Sequence, residues 1–237
     1  MNSLGKLIWR SFLGMVVAGL GIGVGACGDD PVAPDPNQGK TAKVTTFYAQ
    51  IDENPSSVKF MYNTQTLVSA LSYGQSQVVD LQIGGNTTVK VTGLSGTELT
   101  SAGAKVDSLT STWFVYSGSG TSSESFGVAT PKGTNVAGAA GVRMINASPG
   151  SPKLEMHQLA ANGSLVGEAL DYKKSSTSFT PVIVATTNLV VTKEDDTELI
   201  VLPVTLEAGK RYTVIVYGNP NTSATANRIT AKLVVEP

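Results

Sequence analysis

From Phe12 to Ala26 every residue is apolar or glycine, and the run follows a basic start formed by Lys6 and Arg10. At 15 residues it falls short of the roughly 20 that a helix needs to cross a bilayer core. Residues 1–26 therefore read as an export signal. Beyond Ala26 no segment sustains a helical period. Short runs rich in Val, Ile, Thr and aromatics alternate with Gly, Asn and Pro, which predicts strands and tight turns. Gly84-Gly85 and Asn162-Gly163 are hairpin-turn candidates, because positive φ is cheap at glycine and tolerable at asparagine. Alternation along Thr112–Tyr116 puts Thr112, Phe114 and Tyr116 on one face and Trp113 and Val115 on the other. Both faces are apolar, as are Ile215/Tyr217 and Val214/Val216 further on. One face belongs to a core between sheets; the other needs cover from a loop, a neighbouring domain or a partner.

The pattern occurs twice. Leu71-Ser72-Tyr73-Gly74 parallels Leu170-Asp171-Tyr172-Lys173, and Val89-Lys90-Val91-Thr92 parallels Leu189-Val190-Val191-Thr192. Thr97-Glu98-Leu99 recurs as Thr197-Glu198-Leu199, and Thr112–Tyr116 as Thr213–Tyr217, with offsets of 99, 100, 100 and 101. One register held over four segments indicates two copies of one domain, residues 43–130 and 141–237, joined by a linker from Pro131 to Ala140. Seven or so short strands per copy predict an all-β chain of two tandem immunoglobulin-like β-sandwich domains. A domain of about 100 residues can bury a sufficient core without disulfides, so residues 141–237 are expected to fold on their own.

Composition narrows the partners. Lys and Arg number 17 against 18 Asp and Glu, and loss of residues 1–26 would leave 15 against 18. A phosphate-tracking surface gives a basic excess, so nucleic acid is not an expected partner. A single cysteine excludes an intramolecular disulfide. Cys27 and His157 alone cannot supply the four ligands of a structural Cys/His zinc site. No cofactor is expected.

The apolar run ends Val24-Gly25-Ala26-Cys27, which resembles the bacterial lipobox of an aliphatic residue, two small residues and a cysteine. The resemblance implies cleavage between Ala26 and Cys27, with diacylglycerol on the Cys27 thiol and often an acyl chain on the new amino group. One chain anchors marginally and two or three hold firmly, so the membrane becomes a partner through Cys27. Gly28 is not the aspartate that marks inner-membrane retention in enterobacteria, which favours the outer membrane. Residues 27–42 carry Asp29-Asp30 and repeated Pro and Gly without apolar periodicity, the composition of a flexible tether.

Val142-Arg143-Met144-Ile145-Asn146-Ala147-Ser148-Pro149 opens the second copy, and Leu206-Glu207-Ala208-Gly209-Lys210-Arg211-Tyr212-Thr213-Val214 lies near its end. Both resemble the signature strands of the bacterial extracellular family called domain of unknown function 4397. In the first copy Leu71–Gly74 and Val89–Thr92 are similar to the same family. That copy departs from it at Tyr48-Ala49-Gln50, where the second has Asn146-Ala147-Ser148, and at Asp107-Ser108-Leu109-Thr110, where the second has Glu207–Lys210. The resemblance implies the sandwich fold and an exported setting, and brings no catalytic or ligand residues.

Catalytic chemistry finds little support in the pattern. A hydroxyl nucleophile needs a base, and His157 is the only histidine. It sits in a strand-like run, and no Gly-x-Ser-x-Gly elbow follows the signal. His157 is expected at a strand or sandwich surface, and no catalytic residue is assigned. Glu194-Asp195-Asp196 could offer oxygen ligands to calcium. The spacing is not that of an EF-hand, and the parallel stretch Gly93–Gly96 has no carboxylate, so an exposed acidic turn is expected and no metal ligand is assigned. Glycines 19, 21, 23 and 25 lie in the signal and have no phosphate-binding context. Trp113 is expected in core or domain-contact packing, with carbohydrate or protein recognition as the other use. The expected function is a membrane-anchored envelope lipoprotein acting as a non-catalytic binding, scaffolding or adhesion-type module, with an envelope protein or surface polymer as partner. The alternatives are an envelope-polymer hydrolase and a glycan-binding module.

Overall fold

The computed structural model describes residues 39–51, 55–119, 122–221 and 228–237. The signal, Ala26, Cys27 and most of the tether lie outside the described residues. Those described form strands and turns only: β1 Thr41–Tyr48, β2 Ser57–Tyr62, β3 Gln65–Ser72, β4 Ser76–Gln82, β5 Gly84–Gly93, β6 Glu98–Val106, β7 Thr110–Ser119 and β8 Ser122–Pro131 make the first half. The second comprises β9 Ala139–Asn146, β10 Leu154–Gln158, β11 Ser164–Leu170, β12 Lys174–Ser175, β13 Thr180–Ile183, β14 Thr186–Lys193, β15 Glu198–Thr205, β16 Arg211–Tyr217 and β17 Thr230–Val235.

Each half is an immunoglobulin-like sandwich. In the first, a sheet in the order β4-β1-β7-β8 faces one in the order β3-β2-β5-β6. In the second, β12-β9-β16-β17, with β13 also on β9, faces β11-β10-β14-β15. Every ladder is antiparallel except β1 with β7 and β9 with β16, which run parallel. The first core gathers alternate residues of both sheets, among them Val44, Phe60, Val91, Phe114 and Tyr116. The second gathers Met144, Leu154, Met156, Val191, Val214 and Val216. The alternation read from the sequence is thus realised in β7 and β16.

Turn geometry repeats with the strands. Gly74 and Lys173, both at positive φ, follow β3 and β11, and their amides donate to the Tyr48 and Asn146 carbonyls at 2.8 and 2.9 Å. Gly96 and Asp196 hold the same left-handed position in the β5–β6 and β14–β15 hairpins. The β10–β11 hairpin turns at Asn162-Gly163, where a Cβ on Gly163 would lie 1.9 Å from the Gln158 carbonyl oxygen.

Three local expectations change. Gly84-Gly85 does not close a hairpin: β4 pairs with β1 in one sheet and β5 with β2 in the other. The glycines instead mark where the chain changes sheets, at a bulge opposite Val106. Tyr116 and Val216 are counterparts, since their carbonyls accept from the Ala49 and Ala147 amides at 2.7 Å each. The register of β7 with β16 is therefore offset by 100, not 101, and Thr213 matches Trp113. Similar β-branched and aromatic runs hide a one-residue slip, although such a slip exchanges the two faces. The proposed linker is also shorter, because Pro131 ends β8 and Ala139 begins β9. Proline fits there because it closes the strand, and Lys132 supplies the next amide, to Leu109.

A third core joins the halves. Sheet β4-β1-β7-β8 packs its second face against β12-β9-β16-β17, burying Phe47, Ala49, Trp113, Val115 and Phe126 with Ile145, Ala147 and Ile215. The neighbouring half is thus the cover that Trp113 required. The contact is nearly self-complementary: Tyr73 meets Tyr217 edge-on at 5.4 Å, and its counterpart Tyr172 donates or accepts at 2.7 Å with Ser117, the counterpart of Tyr217. Symmetry fails at one polar cluster. Arg143, 0% exposed, pairs with the Glu236 carboxylate at 3.0 Å, and its Nη2 donates to Ser111 Oγ at 2.6 Å. Trp113 Nε1 donates to Glu236 Oε1 at 2.9 Å, and Thr213 also bonds that oxygen. By register the counterparts of Arg143, Trp113 and Glu236 are Thr45, Thr213 and Thr130, which could not build the same cluster.

Candidate functional site

The only histidine lies on β10, whose Leu154 and Met156 point into the second core. Glu155 and His157 therefore share the opposite, outer face. That face carries a transverse row set by the ladders: Leu165 on β11 pairs with His157, His157 with Val190 on β14, and Val190 with Val201 on β15. Leu165 and Val201 are 54% and 44% exposed. The corresponding row of the first half is Thr66, Met61, Lys90 and Ser101, and its Lys90 pairs with Glu98 at 2.8 Å.

His157 sits on strand β10, on the outer face, yet its side chain is buried. The β10–β11 turn folds over it, and Nδ1 lies 3.2 Å from the Gly163 carbonyl oxygen. An oxygen without a proton can only accept, so Nδ1 carries the hydrogen. Nε2 then faces Glu155 Oε2 at 3.3 Å. Asp196 completes the group from the neighbouring hairpin: one ligand atom from each of Glu155, His157 and Asp196 lies within 4.8 Å of the others. Thr192 is the cross-strand partner of Glu155, fully buried, and its Oγ1 has no hydrogen-bond partner.

The first half has the same frame with other residues. By register Lys59, Met61, Thr92 and Gly96 stand for Glu155, His157, Thr192 and Asp196. There the Thr92 hydroxyl reaches Met61 Sδ at 3.7 Å, and Lys59 Nζ donates to the Leu94 carbonyl at 2.7 Å. Glu194 and Asp195 sit in the exposed turn that the sequence predicted, Glu194 beside Lys153 at 3.5 Å and Asp195 capping the Thr197 amide at 3.0 Å. Sequence order hides the trio, because its members are separate in the chain and are brought together by the β10–β14 ladder.

The arrangement bears on the enzymatic alternatives. Among the described residues, His157 is engaged by a carbonyl and a carboxylate, with no hydroxyl nucleophile bonded to it. The groove at Leu165, Glu168, Ser176–Ser178 and Thr180 holds a single carboxylate, whose Oε1 accepts from the Thr177 amide at 2.9 Å. Glycoside hydrolysis uses two flanking carboxyl groups. The exposed large apolar side chains among the described residues are aliphatic. Cys27 and Ala26, the expected lipidation and cleavage residues, lie outside the described residues.

Residues 140–234 match the family described as Domain of unknown function (DUF4397), which supports one such domain in the second half. Among solved structures, the chain is similar to a "putative cell adhesion protein" from Bacteroides eggerthii, with 12% identity, a TM-score of 0.20, and coverage of 83% of this chain and 95% of that one. No curated protein matches the chain.

Proposed function

We propose that the protein is a lipid-anchored envelope lipoprotein, held at the outer membrane through Cys27. Its fused sandwich pair serves as a non-catalytic binding or scaffolding module for an envelope protein. The observation that carries this reading is the pair of exposed aliphatic side chains Leu165 and Val201, which flank the buried His157 and Val190 on the outer face of the second half. In the first half the matching exposed positions are Thr66 and Ser101, and Lys90 between them is ion-paired with Glu98. Exposed aliphatic side chains at two positions where the sister copy carries Thr66 and Ser101 mark a contact surface, not packing common to the fold. The lipobox-like Val24-Gly25-Ala26-Cys27 and the Pro/Gly tether would hold the module at the membrane.

Two measurements test the parts separately. Cys27→Ser is expected to abolish incorporation of a radiolabelled fatty acid in growing cells; undiminished label would remove the anchor. Val201→Lys places a charge on a site already 44% exposed, so folding is expected to change by less than about 0.5 kcal/mol. The same variant is expected to lose the protein that crosslinks to the wild type in intact envelopes. An identical crosslink pattern for both chains would show that this face is not the contact.

A further inference from the structure

The geometry points to a divalent transition-metal site of the zinc type formed by Glu155, His157 and Asp196, with Thr192 opposite Glu155 on the neighbouring strand. With Nδ1 committed to Gly163, neutral His157 presents the Nε2 lone pair to a carboxylate oxygen 3.3 Å away. Two acceptors at that distance repel unless a positive charge lies between them. Zinc bonds of about 2.0–2.1 Å set the edges of a tetrahedron at about 3.4 Å, close to the separation observed. A backbone carbonyl on the far nitrogen is also the usual means of fixing the tautomer and aim of a metal-binding imidazole. Asp196, exposed on its turn, can close the rest of the gap by rotating its side chain.

Thr192 supplies an independent observation. Its Oγ1 is buried without a partner, which leaves the desolvation of a hydroxyl unrepaid. In the first half the equivalent hydroxyl reaches Met61, the counterpart of His157, and in the second Thr192 is the cross-strand partner of Glu155, which puts both side chains on the same outer face. There it would ligate the ion or bond to a water on it. One imidazole with carboxylates selects a zinc-like ion over calcium, which prefers an all-oxygen shell. The first half, with Lys59 and Met61 in the frame, has no such donor set. The ion would tie β10 to the β14–β15 turn at the row that runs through His157.

The test is calorimetric titration of zinc into the full chain, purified in detergent and stripped with chelator. About one ion per chain is expected, with calcium binding far more weakly. Asp196→Gly reproduces the Gly96 turn of the first half and should leave the metal-free melting temperature unchanged while weakening zinc at least about tenfold. His157→Gln should weaken it similarly, and Glu194→Gln should not. No uptake by the wild type up to millimolar zinc would overturn the site. Equal binding by Asp196→Gly, or tighter binding of calcium than zinc, would overturn it as well. None of these outcomes depends on the lipid label or the crosslink.

Discussion

Arg143→Ala is expected to destabilise the chain by about 3–5 kcal/mol, the usual cost of leaving one member of a buried ion pair alone. The Glu236 side chain is 3% exposed, and without Arg143 its carboxylate would keep only the Trp113, Thr213 and Ser111 donors. Burial pushes the Arg143 guanidinium below the ordinary arginine value while the Glu236 charge acts in the other direction. The pair survives because guanidinium forks also reach Thr213 Oγ1 at 2.8 Å and Ser111 Oγ, satisfying the donors that burial would otherwise strand. Arg143→Met combined with Glu236→Leu removes both charges and should cost much less than the single change. Urea unfolding followed by Trp fluorescence reads both variants. A loss below about 1 kcal/mol for Arg143→Ala would mean that water repairs the cluster.

The second large effect concerns residues 141–237 alone. Although the sandwich has its own core, the fragment would bare Ile145, Ala147 and Ile215 together with the Arg143–Glu236 cluster. Re-exposing large aliphatic side chains costs about 1.5–3 kcal/mol each, against a total stability of about 5–15 kcal/mol for a domain. The fragment is therefore expected to melt broadly, far below the full chain, and to bind a hydrophobic dye. It should also stay monomeric. Pairing with itself would set Arg143 against Arg211, the counterpart of Ser111, and would replace Trp113 by Thr213. Circular dichroism melts and light scattering check this. A sharp transition close to that of the full chain would show that each sandwich stands on its own core.

Strand character, the duplication and the exposed acidic turn were legible because they rest on local periodicity and turn chemistry. The two-faced burial of Trp113 was legible in part: alternation showed that a second face needed cover, but only tertiary packing could name Ile145 and Ile215 as the cover. Arg143 gave no such sign, since an arginine in a strand reads as exposed until its partner, 93 residues away, is in place. The burial of His157 escaped for a similar reason. The turn that covers it follows in sequence, but its Gly163 carbonyl reaches the ring only through the fold of that turn. The trio with Asp196 depends on a ladder between strands far apart in the chain.

Order of assembly follows from the third core. Trp113 and Glu236 are 123 residues apart, and their contact needs both sandwiches largely formed, so it belongs late on the folding route. Interactions made after the rate-limiting step leave the folding rate alone and slow unfolding. The clasp between the halves thus acts as a brake on opening, lengthening the life of the closed form. Mutations there should shorten survival in a protease challenge while refolding proceeds at its former speed.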